Sequence, residues 1–228
     1  MTIAPDRLAE LDGLMLTKGT HSSWEEGACV MEAVAYVAGE PFSAHPKCAS
    51  LVIGAFLRPW NDRLDDQTRQ RLKPYIPRLV GTKGTKRQEE KRAWMATDWL
   101  ARECAPAFLR LAGLTEHAEK LEGLSALTTA KRAEKAQPTL DAARAAARAA
   151  WAASAAARAA WAAWDTAWAA WDTAWDAAWA AAWAAAATDA ARDAARAAAD
   201  EALAPTVAML QESAFDLLDR MIAVTKKP

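Results

Sequence analysis

The chain has 228 residues, with 28 basic against 29 acidic side chains and a formal net charge of −1. That balance leaves out the basic excess that neutralising nucleic-acid phosphates demands. No uncharged apolar run of about 18 residues is present to span a bilayer.

Composition changes at Pro138. Before it the chain uses an ordinary globular alphabet, with 20 basic and 18 acidic residues, whereas 38 of the 66 residues from Thr139 to Ala204 are alanine. The expected organisation is therefore an N-terminal helical domain over 1–137, a long Ala/Trp-rich helix over 138–204, and a C-terminal amphipathic helix over 205–228. The N-terminus lacks a charged-then-apolar leader pattern. Three cysteines at no disulfide-framework spacing suit a reducing compartment, so we expect a cytoplasmic protein.

In chain order, Pro5 can open a helix to Asp12, and Gly13, Gly19 and Thr20 mark a loop. Ser22 with Glu25, and Ser23 with Glu26, then offer two overlapping capping boxes, which predict a helix running to Ala38. Its apolar face reads Trp24, Ala28, Met31, Ala35 and Ala38. The stripe Glu25, Cys29, Glu32, Tyr36 and Glu40 is read as a solvated face carrying one thiol. Gly39 ends this helix before a loop over 40–49 that contains Pro41 and Pro46. Further helices are expected at Ser50–Asn61, Asp65–Lys73, Thr85–Arg102, Ala107–Ala112 and Thr115–Leu121. Cys104 lies four residues from both Leu100 and Phe108, the spacing of a core position. No segment alternates like a strand, and the class is all-α.

Past Pro138, eight tryptophans at Trp151, Trp161, Trp164, Trp168, Trp171, Trp175, Trp179 and Trp183 dominate the sequence. From Trp161 to Trp175 the steps are three, four, three and four, the rhythm of a helix packed along its length. Alanine has the best helix propensity, so one helix from Thr139 to Ala204 is expected, with a break near Thr188-Asp189 and Pro205 as a stop or kink. Asp165, Asp172 and Asp176 oppose a membrane span, each costing roughly 2.5 to 3.5 kcal/mol at mid-bilayer.

Candidate chemistry is sparse. His21, Cys29, His45 and Cys48 are two imidazoles and two thiols of the kind that close a tetrahedral zinc site, provided the loop over 40–49 doubles back along the preceding helix. Cys29 as a nucleophile with His45 or His117 as base is disfavoured by Glu25 and Glu32 nearby. The run Gly81-Thr-Lys-Gly-Thr-Lys86 lacks the Gly-Lys-Ser/Thr ending of a phosphate loop.

The segments His21-Ser-Ser-Trp-Glu-Glu-Gly-Ala-Cys29, His45-Pro-Lys-Cys48, Lys73-Pro-Tyr-Ile-Pro and Leu109-Arg-Leu-Ala-Gly-Leu-Thr-Glu-His117, with the Ala/Trp tail, resemble a group of actinobacterial and phage proteins to which no activity is assigned. The resemblance implies a phage or mobile-element context and no reaction. The expected function is that of a non-enzymatic helical assembly or interaction protein. Its Trp stripe would bind copies of itself or another protein, with neither nucleic acid nor membrane as partner. The alternative is a zinc-binding domain or metalloenzyme that the helical arm oligomerises.

Overall fold

The computed structural model describes residues 3–151 and 189–224, and among these the chain is all-α. No strand forms; Leu16 and Ala28 meet only in an isolated parallel bridge. No helix of the described residues is long and apolar enough to cross a membrane. The chain divides into two compact units, one of residues 1–92 with 220–228 and one of residues 93–219. Neither boundary coincides with the composition change at Pro138.

The first unit begins with α1 (Pro5–Ala9), which Pro5 opens because a first-turn residue has no intrahelical use for its N–H. A single 3-10 turn, Glu10–Asp12, follows. Helix α2 spans Val30–Val37, not the stretch from Ser22 that the two capping boxes predict. The serines and glutamates pair otherwise than expected: the Ser22 amide donates to Glu26 Oε2 at 3.0 Å, and Ser23 makes no side-chain cap hydrogen bond. They surround only a 3-10 turn, Trp24–Glu26, which Gly27 ends at φ +120°. A side chain at Gly27 would sit 3.0 Å from Thr17 Oγ1 and 3.3 Å from the His21 ring, so position 27 needs glycine for both its backbone and its neighbours.

Helix α2 is buried on nearly every side, with Val30, Ala33, Val34, Ala35 and Val37 all at 0% exposure. It packs on α3 (Leu51–Arg63) and α5 (Ile76–Leu79), with α4 (Asp66–Gln70) between those two in sequence. Helix α1 is tied to the far end of α2, where the Ala4 amide reaches Val37 O at 3.0 Å and Arg7 Nη1 reaches Tyr36 O at 2.9 Å. The Val37 carbonyl, which the helix end leaves unpaired, is thereby satisfied. Ser50 caps α3 by accepting from the Ile53 amide, and Asp65 caps α4 by accepting from the Thr68 amide.

Helix α6 (Lys86–Trp99) runs into a π-helical segment, Leu100–Cys104, and directly on into α7 (Ala105–Leu111). The two separate helices expected here are joined. Pro106 has no N–H to return to the carbonyl four residues back, and the wider π turn accommodates that loss. In the second unit α7, α8 (Thr115–Glu122) and α9 (Ala130–Trp151) pack around Leu109, Ala118, Leu121, Leu127, Leu140 and Ala143. Cys104 is buried at 4% exposure.

Helix α9 starts at Ala130 behind Thr129, eight residues before the predicted start at Pro138, which lies inside the helix. Helix α10 (Asp189–Ala223) likewise passes through Pro205, so of the stop or kink expected there the stop does not occur. The position of the expected break near Thr188 falls at the edge of the described residues.

Candidate functional site

Glu32 is the polar centre of the first unit. It stands on the first turn of α2, is fully buried, and accepts three hydrogen bonds: from the Cys29 amide at 2.8 Å, the His21 amide at 3.0 Å and His21 Nδ1 at 2.8 Å. The first of these makes Cys29 the N-cap of α2, with Glu32 reaching back as the third residue of a capping box. His21 Nε2 in turn meets Thr17 Oγ1 at 2.9 Å. The loop that carries Thr17 and His21 is held at further points, for Asn61 Nδ2 donates to Thr17 O at 2.9 Å and Asp62 Oδ1 accepts from the Gly19 amide at 2.9 Å. Gln70 takes both the N–H and the C=O of Leu16. The glutamate read as part of a solvated face is thus what fixes the loop and the helix start.

The four residues expected to hold zinc have these and other partners. Cys29 is buried at the α2 cap, and burial first, with the Glu32 charge adding to it, pushes its thiol up to about 12. Cys48 is pushed up to about 11 by burial and by the neighbouring Glu40 carboxylate. His45 is exposed in the loop, and its ring is lowered from the ordinary histidine value by partial burial and then by the Arg58 charge. The loop over 40–49 is held by Arg58 Nη1, which donates to Ala44 O, and by the Lys47 amide, which donates to Glu40 Oε2. Among the described residues no three His, Cys, Asp or Glu side chains are placed to hold a metal ion. His21, Cys29, His45 and Cys48 are therefore not brought together as one ligand set.

A second polar cluster in the same unit surrounds Glu89. Its carboxylate accepts from Ser50 Oγ at 2.5 Å, the Gly84 amide at 2.9 Å and Arg92 Nη1 at 2.6 Å. Arg92 is fully buried and donates from Nε to Met221 O at 3.0 Å. Both clusters have their charges matched by donors and tie elements together, which is structural work.

Of the expected interface, Trp151 is the last described residue of α9, and Trp161, Trp164, Trp168, Trp171, Trp175, Trp179 and Trp183 lie outside the described residues. The described part of α9 nonetheless fixes a register. Its buried positions are Ala136, Leu140, Ala143 and Ala147, at steps of four, three and four. Counting onward in the sequence by whole heptads, Leu140 and Ala147 lead to Trp161, Trp168 and Trp175, while Ala136 and Ala143 lead to Trp164 and Trp171. Five of the eight tryptophans occupy the two heptad positions that α9 buries, and Trp151, Trp179 and Trp183 fall outside them.

Among the described residues, these features define an all-α protein of two compact units. Compared with known protein families, curated proteins and solved structures, the chain matches none of them.

Proposed function

We propose that this chain is a non-enzymatic helical assembly protein whose Trp-striped segment joins copies of itself or another protein. The setting is the reducing cytoplasm, and the resemblance adds a phage or mobile-element context. The observation that carries the reading is register: one seam of heptad positions, already buried where α9 is described, carries tryptophan further along the sequence. A residue type and a phase that recur together mark a packing surface. Each tryptophan buries about 150 to 250 Å², so five in phase present roughly 750 to 1,250 Å². Apolar patches left bare on monomers run to about 300 to 600 Å², and the excess asks for a partner.

The thiols support the non-enzymatic part of the reading. A nucleophilic cysteine is a thiolate at neutral pH, whereas Cys29 and Cys48 are held protonated to about 12 and about 11.

The test replaces Trp164, Trp168, Trp171 and Trp175 together by alanine and compares sedimentation with the parent chain at several concentrations. Alanine favours helix, so circular dichroism should be preserved while the oligomer dissociates. A parent that stays monomeric throughout, or a variant with the parent's mass, would end the self-association reading.

A further inference from the structure

Arginines that enter the interior of this chain generally meet a carboxylate: Arg69 pairs with Asp66, Arg92 with Glu89, and Arg102 with Asp98 in a two-point contact. Arg58, on α3, does not. Its guanidinium is part-buried, and its one hydrogen bond among the described residues runs from Nη1 to Ala44 O at 3.3 Å. The groups around it are neutral: that carbonyl, the protonated Cys29 thiol with which it is electrostatically coupled, and the His45 ring. Glu40, the carboxylate of the adjoining loop, is engaged instead by the Lys47 amide and faces Cys48.

The placement is built into α3. Gly54 lies one helical turn before Arg58, and a Cβ there would come within 3.0 Å of Arg58 Nη1 and 3.3 Å of Met31 Cε. The missing side chain leaves the slot in which the guanidinium lies back over its own helix. A guanidinium offers five N–H donors in a planar fork that fits two oxygens of a carboxylate or phosphate, and among the described residues one donor here has a protein acceptor. His45 is exposed and follows Ala44, whose carbonyl the guanidinium meets, and its ring has no hydrogen-bond partner among the described residues. Burying a cation without a counter-charge is costly.

We propose that Arg58, with the His45 ring, forms a binding site for a small oxyanion of the phosphate or carboxylate class. The anion takes the free edge of the guanidinium and a ring N–H of His45, and supplies the counter-charge that the fold omits. This site lies wholly within the first unit and does not depend on the Trp stripe.

The experiment is calorimetric titration of the full chain with inorganic phosphate and, in a separate arm, with acetate, sodium chloride holding the ionic strength constant. Saturable binding near one equivalent per chain is expected, weakened about tenfold or more in Arg58→Gln, the size of a charge-assisted hydrogen bond. Gly54→Ala keeps the charge but closes the slot, and alanine is the better helix former. It should bind more weakly while circular dichroism shows the parent's helix content. Tighter binding of phosphate assigns the site to phosphate-bearing ligands, and tighter binding of acetate to carboxylates. No saturable binding in the parent, or parental affinity in both variants, overturns the proposal.

Discussion

Glu32 and Cys29 show how much one residue can decide. A buried carboxylate is costly unless its oxygens are hydrogen-bonded, and three N–H donors from two separate residues converge on this one. That convergence sets where α2 begins, and it also quiets the thiol. The raised values of Cys29 and Cys48 have a sign that can be checked. The unfolded chain releases thiol protons near pH 8.5, whereas the folded chain keeps them to about 12 and about 11. Between those limits the native state binds more protons, so their contribution to stability is complete below the ordinary thiol value and declines as pH rises through this window. Urea midpoints should fall from about pH 9 upward, and less steeply in Cys29→Ala. In the native chain at pH 8, iodoacetamide should modify Cys29, Cys48 and Cys104 slowly, and all three rapidly in urea. Fast native labelling of Cys29 would contradict the buried, protonated thiol.

Among the elements, α9 and α10 each contain a proline that propensity alone would place at a helix boundary. An interior proline removes one backbone hydrogen bond and strains the preceding turn, at about 3 kcal/mol. Around Pro138 that cost is offset by burial of Ala136, Leu140 and Ala143 on one face and by alanine-rich flanks. If α9 runs through this position as described, Pro138→Ala should raise stability by about 1 to 3 kcal/mol, measurable as a higher unfolding midpoint. A neutral result would place the helix start at Pro138 after all. The join of α6 to α7 follows the same logic, since a π segment accommodates Pro106 where an α-helix would have broken.

For the molecule as a whole, the notable feature is that the first unit is made from both ends of the chain. Arg92 and Gln88 donate to the carbonyls of Met221 and Val224, which the end of a helix leaves unpaired, and Met221 and Ile222 are themselves buried. Each such side chain contributes about 1.5 to 3 kcal/mol by burial. Ending the chain after Arg220 should therefore destabilise residues 3–92 by about 5 kcal/mol. Limited proteolysis would show it as faster cleavage within that unit. Unchanged protection there would mean that the C-terminal residues are dispensable to it. The two boundaries of the first unit fall within α6 and α10.

What the sequence settles by itself is whatever local rules govern. The all-α class, the helix starts near Ser50 and Asp65 and the core placement of Cys104 all follow from helical spacing and capping chemistry within a few turns. The tertiary structure decides where distant groups compete. Two serine boxes and one cysteine box are all available to start α2, and Cys29 starts it because Glu32 gathers donors from His21 eleven residues away. The Cys-x-x-Glu spacing was present in the sequence, but cysteine is not an ordinary capping residue, so nothing local singled it out. Arg58 was equally silent, since a cation without a counter-charge is recognised only when every neighbouring element is in place. Pro138 misleads for the same physical reason: propensity is worth about 3 kcal/mol at one position, and the packing of Ala136, Leu140 and Ala143 outweighs it.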